Sequence, residues 1–580
     1  MSAPDLILLH APSVYDFRQR PILFGPVSDV VPSTQIFEMY PIGFLTMLEH
    51  LQQNGMKVRI INVALQMLRR RRFNVEKLIK GLKPRAFGID LHWMVHAQGS
   101  LELARMVKKH HPDIPVIFGG LSASFFHEEL IRKPEVDYIV RGDSAEEPLR
   151  LLMEGLAGEG SLADVPNLCW KDQGEVRINK LEHVPDDLNG VSFDYRTVMR
   201  ATMRTVLRHL DFWGHLPFKQ WLQYPILAAL TCRGCVHNCV ICGGSASAFK
   251  TICGRARPAY RDLETIAKDI ALISRYIKAP VIVLGDMLQG GMDRADAFLK
   301  ALKKAAIKNH LAFEFFAPPP EGFIQRVADA VPNFNIQISP ESHDETVRRA
   351  FGRPYDNASL ERFISEALDA GCARLDVFFM IGLPQQTAAS VRATSGYARE
   401  LVDRFGSGAN QGRLLPFISP LAPFLDPGSP AFLEPAKHGY KLFCRTLDEH
   451  VRALEEPSWK RTLNYETKWM SRDEIAAGTY EAALELNRIK QDYGLIREKD
   501  AGRIDVRIRR ELEILQEIDR ACLETDPAER EKQLQKAVSD YDCFHEATIC
   551  RKTEMNWPTR LLRFNPVRIM AYLLRKGFSR

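Results

Sequence analysis

The chain has no uninterrupted apolar run of the ~18 residues needed to cross a bilayer. It also shows no basic-then-apolar leader, since Met1–Leu9 reads as entering a buried strand directly. A membrane-spanning or exported protein is therefore not expected, and a reducing cytoplasm suits the unpaired cysteines. A zinc site would more often show paired C-x-x-C knuckles well apart or histidines at zinc spacing, and His237, between Cys235 and Cys239, is too cramped for a second-knuckle role. Eleven cysteines are present, but outside Cys232 and a group at 235–242 the other seven stand singly, so no disulfide framework is indicated. Charge is not strongly one-sided: the net value is +6, with 26% charged and 46% hydrophobic residues, the composition of an ordinary globular protein. No RNA-binding module is recognisable, so nucleic acid is not expected as a partner. At 580 residues the chain has room for two or three domains.

What is there begins with T-C-R-G-C-V-H-N-C-V-I-C-G-G, which places Cys235, Cys239 and Cys242 in a C-x-x-x-C-x-x-C run. Three thiolates this close can hold three irons of a 4Fe–4S cube and leave the fourth iron open to a small molecule. A cube more usually takes four cysteines, and Cys232 is the alternative fourth ligand, which would close the cluster and make it an electron carrier.

The N-terminal third alternates short apolar runs with helical patterns. Strands are expected at Leu6–Leu9, Lys57–Val63, Ala86–Asp90, Pro115–Phe118 and Asp137–Val140. Helices are expected at Ile42–Gln53, Val75–Leu82, Gln98–His110, Phe125–Ile131 and Ala145–Met153. This pattern predicts a doubly wound parallel sheet, with ligands outside the carboxyl ends of the strands. Gly119-Gly120 with Ser122 follows one strand, and Arg141-Gly142-Asp143 follows another. A hairpin turning at Gln173-Gly174 and a basic helix over Asp194–His209 come next.

From Tyr224 to Ser429 strands and helices alternate again. Val281–Leu284 ends in Gly285-Asp286, Asn335–Ser339 leads into Pro340-Glu341-Ser342-His343, and Asp376–Ile381 ends in Gly382-Leu383-Pro384-Gln385-Gln386-Thr387. Arg348, Arg349, Arg353 and Tyr355 read as a solvated helix face and turn, with one of them able to reach a carboxylate. After Pro430 the pattern is helical, over Lys437–Leu454, Arg472–Tyr493 and Ile508–Leu523.

The cysteine triad and the three strand-end motifs, in this order, resemble the radical SAM enzymes. Residues 5–153, with G-G-x-x-x-S, V-D-Y-I-V-x-G-D and E-E-P-L, resemble the cobalamin-binding domain attached to many of them. The resemblance implies an α/β chain in four parts. These are a cobalamin-binding-like Rossmann-type domain (1–155), a linker or cover (156–223), a radical SAM partial (β/α) barrel (224–430) and a mainly helical C-terminal region (431–580). It implies a 4Fe–4S cluster on Cys235, Cys239 and Cys242, and S-adenosylmethionine (SAM) near Asp286, Glu341, Ser342 and Gly382. Cobalamin is implied near Gly119, Gly120 and Ser122, and a one-electron donor such as flavodoxin or ferredoxin as partner. The implied activity is methylation of an unactivated carbon, with cyclisation, coupling or oxidation of a lipid-like substrate as the alternative, and a non-catalytic sensor behind both.

Two departures stand out. The D-x-H-x-x-G loop that supplies a cobalt-ligating histidine is absent after the first strand, where His10-Ala11-Pro12-Ser13 stands instead; His92, Trp93 and His96 are alternative neighbours of the lower face. Ile241 replaces a frequent aromatic. The last thirty residues carry eight Lys or Arg against one acid, Glu554, interleaved with large apolar side chains. That mixture suits an in-plane helix on an anionic membrane, and with it a small-molecule or lipid substrate; a helix docked on the protein is the other reading.

Overall fold

The computed structural model describes residues 3–25, 34, 36–192, 194–198, 215–219, 221–222, 225, 227–420, 424–539, 541 and 564–576. The first sheet is built from β1 (Leu6–His10), β2 (Val58–Asn62), β3 (Ala86–Asp90), β4 (Val116–Gly119), β5 (Tyr138–Val140), β6 (Leu168–Asp172) and β7 (Glu175–Ile178). Their order is β2-β1-β3-β4-β5-β6-β7. The first five are parallel, and β6 and β7 join antiparallel. β1 (L-I-L-L-H) and β3 (A-F-G-I-D) are buried along their whole length, as strands covered on both faces must be. The strand order reverses between β1 and β3, and a crevice at the carboxyl ends of the strands follows from that reversal.

The second sheet is made of β8 (Leu227–Leu230), β11 (Val281–Leu284), β12 (Leu311–Phe315), β13 (Phe334–Glu341), β14 (Arg374–Ile381) and β15 (Leu414–Pro420). It runs β15-β14-β13-β12-β11-β8, parallel throughout, the open form of a barrel. Between β8 and β11, a short β9 (Cys232–Arg233) pairs antiparallel with β10 (Ala259–Tyr260). The helix Arg472–Asp492 starts at a capping box of Ser471 and Glu474 and packs along the edge strand β15. Helices Glu498–Ala521 and Pro527–Ala537 pack beyond it in turn. Among the described residues no helix is long and apolar enough to cross a membrane.

Several expected elements come out differently. The hairpin at 168–178 extends the first sheet by two strands, although the 156–223 stretch reads as linker and cover. Lys437–Leu454 is not one helix: Gly439 (φ +76) ends a turn at Pro435–His438. β16 (Tyr440–Leu442) follows, pairs with β17 (Tyr465–Thr467), and a helix resumes only at Leu447–Ala453. The helix expected over Phe125–Ile131 breaks at Phe126 into Leu121–Phe125 and His127–Leu130. Val63–Arg69, not expected as a helix, forms one because the Asn62 side chain accepts from the Leu65 N–H. Most of the basic helix expected at Asp194–His209 lies outside the described residues, as does most of the tail before residue 564.

Candidate functional site

The cysteine run begins where β8 ends. Gly234 (φ +93) turns the chain with the Arg255 side chain and the Pro258 backbone so close that a Cβ would collide. Backbone bonds then fold the loop on itself: Cys242 N–H donates to the Cys239 carbonyl (3.2 Å) and Ala246 N–H to the His237 carbonyl (2.9 Å). Ser245 caps the following helix, Ala246–Cys253. Two sulfurs already accept backbone hydrogen bonds, Cys235 Sγ from His237 N–H (3.4 Å) and Cys242 Sγ from Gly244 N–H (3.2 Å). Burial pushes all three thiols up, Cys235 to about 11; Cys239 adds to the rise at Cys235, and both add to the rise at Cys242. Buried thiols that crowd each other gain most when metal replaces their protons. Among the described residues no three His, Cys, Asp or Glu side chains converge on the point a single ion would occupy. A cube asks for something looser, three sulfurs on three irons, and this donor set fits it. Cys232 is held elsewhere: its sulfur accepts from Gln289 Nε2 (3.1 Å) and packs under Gly285.

Beside the triad lies a charged cluster that the sequence reading leaves on the surface. Gly352 (φ +111) touches the backbone of Asn238 and Cys239, and the next residue, Arg353, turns inward. Arg353 and Arg348 are both buried, not solvated. Arg353 Nη1 donates to the Phe316 carbonyl (2.7 Å), and Nη2 lies 3.4 Å from Glu341. Glu341 has φ +68 at a register shift in β13, and its Oε2 is buried with no hydrogen-bond partner among the described residues. A non-glycine residue held there carries backbone strain of about 1–3 kcal/mol. Burial pushes the Glu341 and Glu314 carboxyls up to about 7 and that of Asp286 to about 6. A cation or a hydrogen-bond donor entering here would lower all three.

The remaining residues marked from the strand-end motifs are engaged in their own turns. Asp286 accepts from Leu288 N–H (2.8 Å) and Phe316 N–H (3.0 Å). Ser342 Oγ accepts from Asp344 N–H (3.2 Å). Gly382 donates its N–H to Gln386 Oε1 (2.8 Å), its carbonyl accepts from Tyr440 Oη (3.0 Å), and a Cβ there would strike Tyr465 Oη. The G-L-P-Q-Q-T turn is therefore packed beneath the β16–β17 hairpin.

The second half of the site is a cavity of about 470 Å³ between the two sheets. One wall is the carboxyl end of the first sheet, with Asp90, His92, Trp93, His96, Gly119 and Gly120. The opposite wall is β8 and β11, with Ala228, Leu230, Ile282 and Leu284. Gly120 (φ +113) has to be glycine because its missing Cβ would lie 2.6 Å from His92 Cα; Gly119 meets only the Val140 carbonyl at 3.5 Å. Ser122 points away from the cavity and donates to the His92 carbonyl (3.1 Å). On the floor, His10 Nδ1 pairs with Asp90 (3.0 Å), and His10 and His96 both bond the Phe37 carbonyl through Nε2. Burial drives His92 and His96 down to about 4, so both are neutral. The walls are mainly apolar, which fits a large planar group entering edge to edge.

Two buried ion pairs tie the cluster loop to the cavity. Arg233 reaches Glu146 with both nitrogens, one at 2.9 Å, and Arg255 grips Asp143 in the same way, one contact at 3.1 Å. Burial alone would raise the Glu146 carboxyl, but Arg233 holds it down at about 2. The sequence marks R-G-D as a turn after a strand and E-E-P-L by resemblance; their arginine partners stand 112 and 87 residues away.

An open parallel barrel with a partly buried thiol triad, joined across one cavity to a seven-stranded sheet whose five parallel strands are doubly wound, defines a two-cofactor α/β protein. Residues 31–152 match the B12 binding domain family and residues 230–397 the Radical SAM superfamily, so a B12-binding domain precedes a radical SAM domain along the chain. An uncharacterised methyltransferase of Pyrococcus horikoshii is 21% identical over 335 residues, 57% of this chain and 67% of that protein. The fold resembles TsrM, a radical S-adenosylmethionine methyltransferase of Kitasatospora setae, with a TM-score of 0.55 at 14% identity over 86% of this chain and 90% of that one. It also resembles the cobalamin-dependent S-adenosylmethionine radical enzyme OxsB, with a TM-score of 0.54 at 14% identity over 99% and 80%.

Proposed function

We propose that this radical SAM enzyme transfers a methyl group to an unactivated carbon of a small-molecule or lipid substrate. The observation that carries the reading is the single cavity walled on one side by the carboxyl ends of the first sheet and on the other by β8, whose end leads into the cysteine loop. A 4Fe–4S cluster supplies an electron to cleave SAM and cobalamin supplies a carried methyl group, chemistry that no side chain performs.

The protein's part is to position. Cys235, Cys239 and Cys242 hold the cluster, and Cys232, bonded to Gln289, stays out of it. Glu341 Oε2, without a hydrogen-bond partner among the described residues, would take a polar group of SAM, with Arg353 as its counter-charge. Asp286, Ser342 and Gly382 shape the strand-end turns around that site. Gly119 and Gly120 keep the first sheet's edge low enough for the corrin, and Ser122 fixes the loop of His92 beneath it. In this reading the first module is 1–155 and the barrel 224–430, joined by 156–223 and followed by the helical 431–580 region. The partners are a one-electron donor such as a flavodoxin or ferredoxin, in a reducing cytoplasm, with peripheral membrane contact through the tail.

Anaerobic incubation of reconstituted enzyme with labelled SAM and a lipid extract tests the reaction. A product heavier by one labelled CH₂ supports methylation. A product lighter by two hydrogens supports coupling or cyclisation instead, and uncleaved SAM overturns the enzyme reading.

A further inference from the structure

Helix Pro566–Lys576 has two apolar faces, and the protein uses one. Leu573 is 1% exposed and Ile569 packs on the core. The segment is fastened by Asn565 N–H to the Tyr276 carbonyl (2.8 Å), by Phe564 against Trp221 (5.9 Å between ring centres), and by Tyr572 between Tyr276 (6.0 Å) and the Arg196 guanidinium (5.1 Å). On the other face Val567 is 76% exposed, Met570 44% and Leu574 68%. Their spacing of three and four residues stacks them in one stripe along the helix. A docked helix and an outward apolar face are thus both present.

We infer that this stripe seats the protein on an anionic lipid surface. The helix contains no acid, Arg568 stands exposed beside the stripe, and Arg275 and Lys278, on the segment that fastens it, are exposed too. The last thirty residues add seven more basic side chains against one acid. Apolar residues rimmed by cations suit the headgroup boundary of an anionic membrane. A second copy of the chain is the poorer occupant, because two such faces would bring like charges together. Trp221 in turn stacks on Tyr195 (6.5 Å), a residue of the cavity wall. The lipid contact therefore lies one aromatic layer behind the cavity. This deepens the peripheral contact proposed above and does not depend on the reaction.

The test is vesicle sedimentation of the cluster-free full-length protein, which a failure to cleave SAM would leave unaffected. Wild type is expected to sediment with mixed phosphatidylcholine–phosphatidylglycerol vesicles, weakly with phosphatidylcholine alone, and less as salt rises. The V567S/M570S/L574S variant replaces only exposed side chains, should melt as wild type does, and should lose at least about tenfold in partitioning. Wild type that ignores anionic vesicles, or a triple variant that still binds them, overturns the inference. So does a variant whose only change is a halved mass by light scattering, which would make the face an interface between copies. An RNA oligonucleotide that displaces the protein from vesicles while the triple variant still binds that RNA would assign the basic charge to nucleic acid and overturn it as well.

Discussion

The cysteine loop and the cavity between the two sheets meet within one protein, yet they are built on opposite principles. The loop is short-range: three thiols within eight residues, bonded to their own backbone, surrounded by Arg353, Glu341, Glu314 and Asp286. The cavity is long-range and mainly apolar at its wall, with histidines held neutral by burial and its charges paired, Glu146 with Arg233, Asp143 with Arg255 and Asp90 with His10. The contrast follows from what each must hold. Thiolates around iron need nearby charge and hydrogen bonds to set a potential. A large macrocycle needs area and a backbone that gives way, which glycine and apolar side chains provide.

The sharpest break in that comparison is at the sulfurs. Cys239→Ala should abolish iron–sulfur absorbance after anaerobic reconstitution and stop SAM cleavage entirely, while Cys232→Ala should keep both within about twofold, because only a ligand is indispensable to the cluster. Iron content and the EPR signal of the reduced protein decide it. Equal losses in the two variants would make the cluster four-cysteine and closed.

The joint between the halves comes next. Glu146→Gln leaves Arg233 buried without its carboxylate, and a broken buried pair costs about 3–5 kcal/mol. Because the folded-state pKa of Glu146 is depressed to about 2, its contribution is fully present above the ordinary carboxylate value and disappears as pH falls toward 2. Denaturant melts of wild type and variant should therefore differ widely at pH 7 and converge on acidification. A gap that stays constant with pH would show that Glu146 acts through packing alone.

A smaller effect tests the cavity's own logic. Gly120→Ala forces a side chain into positive φ and onto the His92 backbone, and should destabilise by about 2–3 kcal/mol. Gly119→Ala, with ordinary contacts, should cost under about 1 kcal/mol in the melt yet weaken cobalamin binding, read by its visible absorption. If the two alanines behaved alike, the glycine pair would be a turn and no more.

These differences also explain what was readable in the chain. Apolar runs such as L-I-L-L and V-I-V-L announce parallel strands, and the thiol triad lies within a single loop, so both could be read locally. Arg353 could not, because its burial depends on Gly352 passing the Cys239 backbone, a contact made across more than a hundred residues. A separation of 87 residues hides the Arg233–Glu146 pair in the same way. Lys437–Leu454 misleads in the opposite direction: its composition favours helix, but pairing with Tyr465–Thr467 draws Tyr440–Leu442 into a strand over Gly382. Tertiary pairing outweighs local propensity there.

That hairpin supplies the mildest test. Tyr465 Oη is buried against Gly382 and has no hydrogen-bond partner among the described residues. A buried hydroxyl left unbonded costs free energy, so Tyr465→Phe should stabilise the cofactor-free protein by about 1 kcal/mol, seen as a small rise in Tm. If the Gly382 turn serves only to pack the hairpin, SAM affinity stays the same in the variant. If Tm falls, or SAM binds several-fold more weakly, the hydroxyl has a polar partner supplied by water or by SAM itself. The β16–β17 hairpin would then belong to the cluster half of the site, and not merely cover it.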